Sequence, residues 1–522
     1  MAAFGLYGVT AGKLAGYEPE TAAVSEGLVQ SGQLHVPSGS PLAQGQGVPG
    51  RGGHRYSRTG LTQPVLEAPF YWVGQELDRL ASGGKSYRWR LTAVWLFEPA
   101  MAALTVLAIF ALLLLREVPE RRALGLAALC AVGTLIWPYS KIGMDTTLMA
   151  MVALSAVAAA WTAKRPTTGR FALTGLAVAL AMNSKPYGTL LALGVVTLLA
   201  GAFREQLRLR RIGVIAAFAA PVILGALTIA WYNWYRTGSI THFGDQYLPV
   251  QLVSMPFDAI GLLLSPGKGL LFYSPLVILG LIGLRELWRA DRPLARAIAV
   301  TGTVNVLVIA TSLVWSDETW GPRYLLPSAW LLVLPIAWWA RGRARLRWLG
   351  AAALIGICIQ FVGVFANYGV TLPAIRVLTG EPVYLYGACS PHPGPDDHDP
   401  APGCPQVAYG DDGPRWIPMA SPMLLQAELT AAYLEEKLTG SGFVVTYGPW
   451  RGHAGAIDLR HPERTFAPLP DFWWTLPGES TKQDLIAVLL GLLGLGSGAM
   501  LGRRLLVAQT TTGTPLQEGP RR

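Results

Sequence analysis

Long runs of apolar residues constrain the fold of this chain more than any other feature of its sequence. Eleven runs have or approach the roughly 17 to 25 residues with which a helix crosses a hydrocarbon core about 30 Å thick, and some of them are shorter than a full span. Only 14% of the 522 residues are charged, against about 25% in soluble domains. The sequence therefore predicts an all-α polytopic integral membrane protein. The runs are residues 91–115, 123–138, 147–163, 171–183, 186–203, 212–234, 269–284, 297–315, 324–340, 348–366 and 484–501.

The basic residues alternate between the short loops. One set of loops is rich in arginine: 116–122, 164–170, 204–211, 285–296, 341–347 and 503–504. Because Lys and Arg in short loops stay on the cytoplasmic side, we predict a multi-pass protein of the bacterial cytoplasmic (inner) membrane, with its charge-poor loops outside. The net charge of +10 lies in these short loops without a Cys/His finger or a basic helix, which argues against a nucleic-acid partner.

Four regions follow from this topology. Residues 1–366 form a transmembrane module whose first outer loop covers 13–90, residues 367–483 form an extracytoplasmic segment, 484–501 the last helix, and 502–522 a cytoplasmic tail. Residues 1–12 resemble the end of a helix whose beginning is missing, and restoring it would give twelve spans. There is no pattern of a cleavable signal peptide.

Sidedness requires a hairpin broken at Asn183-Ser184-Lys185-Pro186. Pro186 removes a helix donor and biases Lys185 away from helix. The break is either a tight turn or a pair of short helices lining a cavity, the setting in which irregular backbone is tolerated at membrane depth.

Three outer carboxylates are candidate catalytic residues. Glu18 and Glu20 open an amphipathic stretch, where acids also stabilise a helix N-terminus. Asp145 lies in a short outer loop and either caps the following helix or forms an acidic pocket with Glu18 or Glu20. The residues alone leave these alternatives open.

Basic residues at outer helix starts indicate an anion site. In Gly267-Lys268-Gly269, two glycines flank a lysine, so that backbone N–H groups, a helix dipole and an ammonium can converge on an anion. Arg323 follows Trp320-Gly321-Pro322 and needs a partner in a charge-poor leaflet. We predict that Lys185, Lys268 and Arg323 bind a phosphate together, although each alone could contact a lipid headgroup.

Two stretches of the sequence resemble motifs of bacterial phospholipid-carrier-dependent glycosyltransferases. They are the Gly-Lys-Gly stretch and Trp320-Gly321-Pro322-Arg323-Tyr324-Leu325-Leu326-Pro327. These enzymes belong to the GT-C superfamily, with protein O-mannosyltransferases and the lipid A aminoarabinose transferase. The resemblance also covers the acidic first outer loop, the loop at Asp145 and the lysine-proline break. It implies a GT-C-type bundle of about 11 or 12 helices with amphipathic outer-loop helices, and we assign Tyr273, Trp320 and Lys141 to substrate binding.

The function implied by this resemblance is transfer of a sugar from a polyprenyl-phosphate donor to a glycan, glycolipid or protein acceptor at the outer face. An acidic residue of the first outer loop acts as general base in such enzymes, which corresponds to Glu18 or Glu20; the family usually has Asp here, and we favour Glu18. The alternatives are a lipid-linked-sugar transporter or scramblase and a polymer ligase that uses the same carrier.

The outer segment 367–483 contains two further candidates. Cys389 and Cys404 are expected to form a disulfide on the oxidising side. A cluster of His and Asp residues lies between them, at 392 and 396–399. These residues are either solvated turns or ligands of a divalent metal, so that metal dependence stays open.

Overall fold

The computed structural model describes most of the chain up to residue 365 and parts of the remainder. The described residues are 1–12, 18–43, 47–243, 252–311, 319–365, 416, 418, 421–440, 444–450, 453–458, 472–474 and 481–511. Helices dominate them, with two short antiparallel hairpins. The predicted all-α polytopic membrane fold is confirmed. The region boundaries at 366, 483 and 501 stay predictions.

The helices follow the apolar runs. They are α1 (Ala2–Thr10), α2 (Glu18–Ser31), α3 (Thr62–Ser82), α4 (Arg88–Trp95), α5 (Phe97–Leu115), α6 (Glu120–Gly133), α7 (Ile136–Ile142), α8 (Thr146–Lys164), α9 (Thr168–Ser184), α10 (Gly188–Arg208), α11 (Ile212–Thr237), α12 (Met255–Leu264), α13 (Leu270–Tyr273), α14 (Leu276–Ala290), α15 (Arg292–Ala310), α16 (Leu326–Val333), α17 (Ile336–Trp339), α18 (Arg343–Phe365), α19 (Pro422–Thr439) and α20 (Thr481–Thr511). The strands are β1 (Val48–Pro49) and β2 (Arg55–Tyr56), which pair, and β3 (Val444–Trp450) and β4 (His453–Asp458), which also pair.

Fewer helices are full spans than the eleven apolar runs suggest. Within the described residues, six helical segments are long and apolar enough to cross a membrane, or seven if α6 and α7, bent by 52°, form one span. Prolines explain part of the difference, because Pro275 separates α13 from α14 and Pro335 separates α16 from α17. The apolar helix α12 was not predicted from the sequence.

The bundle core consists of aliphatic and aromatic side chains contributed by most of the helices. Leu112, Leu148 and Phe171 are buried in it. The helix α11, in contrast, exposes large apolar side chains such as Leu224 and Trp231, as expected of a helix that faces lipid. The terminal helices α1 and α20 approach closely, since a Cβ on Gly5 would lie 2.5 Å from the Gly494 amide nitrogen.

The loops form two groups at opposite ends of the bundle. Three ion pairs join the arginine-rich loops to one another: Arg116 with Asp291 at 3.4 Å, Lys164 with Glu117 at 2.9 Å and Arg345 with Glu286 at 3.2 Å. Asp145 lies at the N-terminal end of α8, and Lys164 lies at the other end of this helix. At 1.5 Å per residue the two ends are about 28 Å apart. The charge-poor loops meet at the Asp145 end, and they contain the candidate site.

The described part of the segment predicted as the first outer loop folds over this end of the bundle. Its helices α2 and α3 pack on each other, and α3 exposes Trp72, Val73 and Leu80 while it buries Tyr71 and Glu67. A helix with one exposed apolar face suits the plane of the membrane interface. The predicted amphipathic outer-loop helix is therefore present.

Candidate active site

Asp145 is the centre of the candidate site. It lies between α7 and α8 in the left-handed backbone region, at φ 64°, which is unusual for a non-glycine residue. Although it occupies the N-cap position of α8, its side chain makes no capping hydrogen bond. The carboxylate instead lies 2.5 Å from Lys185 Nζ, accepts a 3.1 Å hydrogen bond from the Tyr187 hydroxyl, and lies 3.8 Å from Arg323 Nε. The prediction that the Asp145 side chain caps α8 is thus wrong.

The lysine-proline break positions Lys185. The hairpin predicted from Asn183 to Pro186 is present, because α9 ends at Ser184 and α10 begins at Gly188. Lys185 is extended, at φ −150° and ψ 143°, as expected before a proline. Its ammonium therefore leaves the helix axis and reaches Asp145.

Arg323 reaches the same carboxylate from a short 3-10 turn before α16. Its guanidinium lies 4.4 Å from the Tyr324 ring centroid, donates to the Tyr324 hydroxyl at 2.6 Å and contacts the Met144 sulfur. Asp145, Lys185 and Arg323 are 3%, 5% and 9% exposed. Two cations therefore face the Asp145 carboxylate in a buried site, where fixed charges act strongly.

Glu18 lies against the Asp145 loop. Gly143 has φ 81°, and a Cβ added to it would overlap Glu18 Oε1 and approach Glu98 Cγ to 2.6 Å. The Glu18 carboxylate thus occupies the space that a side chain at position 143 would fill. The structure brings together two of the three predicted catalytic acids, Glu18 and Asp145.

Glu20 has a different environment. Both of its oxygens lie 3.2 Å from Arg58 Nε, and Oε1 also accepts a 2.8 Å hydrogen bond from the Arg58 backbone N–H. An ion pair that is reinforced by a backbone hydrogen bond stabilises the charged form of a carboxylate and so lowers its basicity. Glu20 is therefore the weaker candidate for a general base.

Two further buried acids lie beside this site. Glu98 accepts a 3.0 Å hydrogen bond from Gln63, which also donates to Thr21. Burial raises the pKa of Glu67 to about 8, although a hydrogen bond from Ser25 acts in the opposite direction. Nothing in the sequence marks Glu67 as a buried acid, because an isolated acid on an amphipathic helix is typical of a solvated face.

The loop Gly267-Lys268-Gly269, predicted to bind an anion, makes its hydrogen bonds within the protein. Two of its three backbone amides are already bonded, since Lys268 N–H donates to Ser265 Oγ at 2.9 Å and Gly269 N–H to the Ser265 carbonyl at 2.6 Å. The following helix, α13, has only four residues. The Lys268 ammonium donates to the carbonyls of Thr319 and Gly321. We therefore reassign Lys268 from phosphate binding to holding the turn that precedes Arg323.

The three residues assigned to substrate binding are buried in protein contacts. The Tyr273 hydroxyl donates to the Gly267 carbonyl at 3.0 Å, and its ring meets the Trp320 ring edge-on at 5.0 Å. Lys141 donates to the Val364 carbonyl at 2.6 Å. The structure thus gives these side chains a packing role.

The remaining predicted residues lie outside the part of the chain that the structure describes. They are Cys389, Cys404, and the His and Asp residues at 392 and 396–399. In the described part, no group of three or more His, Cys, Asp or Glu side chains has the arrangement of a metal site. The predicted disulfide and the metal dependence stay predictions.

Comparison with known proteins gives two structural neighbours. No protein-family model and no curated protein matches the chain. The crystal structure of ArnT from Cupriavidus metallidurans in the apo state is similar with a TM-score of 0.43 and 15% identity over 72% of this chain and 66% of that one. The crystal structure of the same ArnT bound to undecaprenyl phosphate is similar with a TM-score of 0.46 and 14% identity, over 72% of this chain and 68% of that one.

ArnT is the lipid A aminoarabinose transferase. It is a GT-C glycosyltransferase. The chain matches about two thirds of the length of each ArnT chain. At this identity and TM-score, the assignment of site residues depends on the contacts of this chain itself.

Proposed function

We propose that this chain is a membrane glycosyltransferase that transfers a sugar from a polyprenyl-phosphate donor to an acceptor at the extracytoplasmic face. The observation that carries the proposal is the meeting of Lys185 and Arg323 at Asp145, beside the carboxylate of Glu18. Transfer of a sugar from a phosphate leaving group to a hydroxyl requires cations near the phosphate and a carboxylate near the hydroxyl. The carrier is of the undecaprenyl type, the lipid bound in one of the two ArnT structures.

The reaction is a single displacement with inversion. The acceptor hydroxyl attacks the anomeric carbon and loses its proton to Glu18, a new glycosidic bond forms, and the bond between the sugar and the phosphate oxygen breaks. The oxocarbenium-like transition state makes the hydroxyl acidic late in the reaction, so that a carboxylate is a sufficient base. The products are a glycoside, polyprenyl phosphate and a protonated Glu18.

The cations act on the leaving group. Negative charge grows on the phosphate as its bond to the sugar breaks, and fixed cations stabilise the transition state more than the ground state. Lys185 and Arg323 perform this role, while Asp145 holds both in place and competes with the phosphate for them. This competition favours release of the product.

Glu18 is the proposed base in preference to Glu20. Glu20 is fixed by the ion pair and the backbone hydrogen bond of Arg58. Glu18 lies on the Gly143 side, in the same loop contact as Asp145. A general base must reach the attacking hydroxyl, which approaches the anomeric carbon from the face opposite the leaving phosphate. Of the two glutamates, Glu18 is the one that contacts the loop of Asp145, and we therefore assign the base to Glu18.

The proposal is tested by release of polyprenyl phosphate from purified protein in liposomes. A panel of polyprenyl-phosphate hexoses and pentoses serves as donors, with a total membrane extract as the source of acceptor. We expect stoichiometric release with one donor and transfer of its sugar into the extract. Movement of the intact donor between leaflets without cleavage would instead establish a transporter and refute the proposal.

A further inference from the structure

A second crevice lies on the other side of the lysine-proline break. Pro186 and Asn183 line it together with the loop residues Arg58 to Leu61 and the last turns of α11. Ser184 accepts a hydrogen bond from the Gly60 amide, so the loop is fixed to the end of α9. The crevice is therefore one residue along the chain from Lys185, and the mechanism proposed above does not use it.

Arg236 is the most deeply buried cation of this crevice. It is 4% exposed, and its terminal nitrogens donate to the Ser57 carbonyl at 2.6 Å and to Asn233 Oδ1 at 2.7 Å. Its Nε is buried without a hydrogen-bond partner. A buried guanidinium donor without an acceptor is costly, which indicates that a ligand atom or a water completes the site.

Tyr232 supplies a second donor. Its ring lies under the Arg236 guanidinium at 4.4 Å, its side chain is 2% exposed, and its hydroxyl is buried without a partner. Arg58 lines the same crevice and uses Nε for Glu20, which leaves its terminal nitrogens available. Among the described residues, two guanidinium groups against the carboxylate of Glu20 give the crevice a net positive charge.

The free volume of the crevice is about 20 Å³, room for about one water-sized group. A whole sugar does not fit, whereas one oxygen atom of a larger anionic group does. We propose that Arg58, Tyr232 and Arg236 bind an anionic group, a phosphate or a carboxylate, that is carried by the acceptor. This inference rests on the proposed function, because it places the acceptor beside Lys185 and Glu18.

The experiment measures binding of radiolabelled inorganic phosphate to the full-length protein in phosphatidylcholine nanodiscs. Tyr232→Phe removes only the hydroxyl donor, and Tyr235→Phe is its matched control, because Tyr235 stacks on Tyr232 but does not line the crevice. All measurements are repeated in an Arg323→Ala background, which weakens phosphate binding at the transfer site. We expect Tyr232→Phe to weaken the remaining phosphate site about tenfold and Tyr235→Phe to leave it unchanged.

Three outcomes would overturn the inference. Equal phosphate binding by native protein and Tyr232→Phe would mean that the crevice holds a water only. Loss of phosphate binding in nanodiscs that contain phosphatidylglycerol would assign the site to a lipid headgroup. Cleavage of the donor with equal transfer to neutral and acidic acceptor sugars would refute the acceptor role and leave the proposed function intact.

The opposite failure is also distinguishable. If phosphate binds at the crevice in the expected pattern but no polyprenyl-phosphate sugar is ever cleaved, the proposed function is refuted, and the assignment of the anion to an acceptor is refuted with it.

Discussion

At the scale of single residues, the environment of each acid decides its role. Glu20 is held by Arg58, Asp145 by Lys185 and Arg323, and Glu18 lies against a glycine. Chemically similar carboxylates thus differ in the groups that surround them. The residue identities alone could not assign these roles.

Asp145→Asn tests the coupling between the carboxylate and its two cations. Removing its charge leaves Lys185 and Arg323 to the donor phosphate, so we expect affinity for polyprenyl phosphate to rise about tenfold while turnover falls about a hundredfold. Tyr187→Phe, which removes one hydrogen bond to Asp145, is expected to change both by only a few-fold. Binding of the fluorescently labelled carrier and single-turnover rates provide the two readouts. Weaker carrier binding by Asp145→Asn would contradict the assignment.

The raised pKa of the buried Glu67 carboxyl predicts that the free energy of unfolding depends on pH. Its folded-state pKa of about 8 lies above the ordinary 4.5, so the folded protein holds a proton that the unfolded chain releases. This contribution is complete below pH 4.5 and is lost as the pH rises through 8, with a slope of about 1.4 kcal/mol per pH unit between them. In Glu67→Gln we expect a smaller decrease in melting temperature from pH 5 to 8. An unchanged decrease would show that Glu67 is not the group responsible.

At the scale of elements, breaks between helices build the site. Asp145 lies between α7 and α8, Lys185 between α9 and α10, and Arg323 directly before α16. Each break releases one side chain from a helix axis at the same end of the bundle. The close approach at Gly143 then admits the Glu18 carboxylate.

Gly143→Ala tests this approach. A left-handed backbone costs a non-glycine residue about 1–2 kcal/mol, and the methyl group would displace Glu18, so we expect lower stability and loss of transfer. Gly169→Ala is the control, because no atom lies within 4 Å of its added Cβ and an alanine in a helix is neutral or stabilising. Melting temperature and donor cleavage are measured for both. Full activity of Gly143→Ala would contradict the position of Glu18.

The sequence predicted the elements better than their contacts. The break at Lys185-Pro186 was predictable because the effect of a proline is local. The bonding of Lys268 was not, because its acceptor carbonyls belong to residues 319 and 321, about fifty positions away along the chain. The same holds for the pairing of Glu20 with Arg58. Side chains that meet through long-range packing leave no local pattern.

At the scale of the whole molecule, the charge pattern of the loops agrees with their contacts. The arginine-rich loops pair with one another at one end, and the charge-poor loops form the candidate site at the other. The positive-inside rule then predicts that the site faces outward.

Labelling with a membrane-impermeant thiol reagent in intact cells tests this orientation. Single cysteines are introduced at the exposed positions Ser38 and Arg121, in a variant whose other accessible cysteines are replaced by serine. We expect Ser38→Cys to react and Arg121→Cys to react only after the cells are opened. The reverse pattern would invert the topology and place the site in the cytoplasm.

The most direct test of the central claim compares Glu18→Gln with Glu20→Gln in one assay of donor binding and donor cleavage. We expect Glu18→Gln to bind the polyprenyl-phosphate sugar as the native protein does and to release polyprenyl phosphate at least about a hundredfold more slowly, the range of one acid–base group. Glu20→Gln is expected to retain most of its turnover. Full turnover by Glu18→Gln would contradict the assignment of Glu18 as the base.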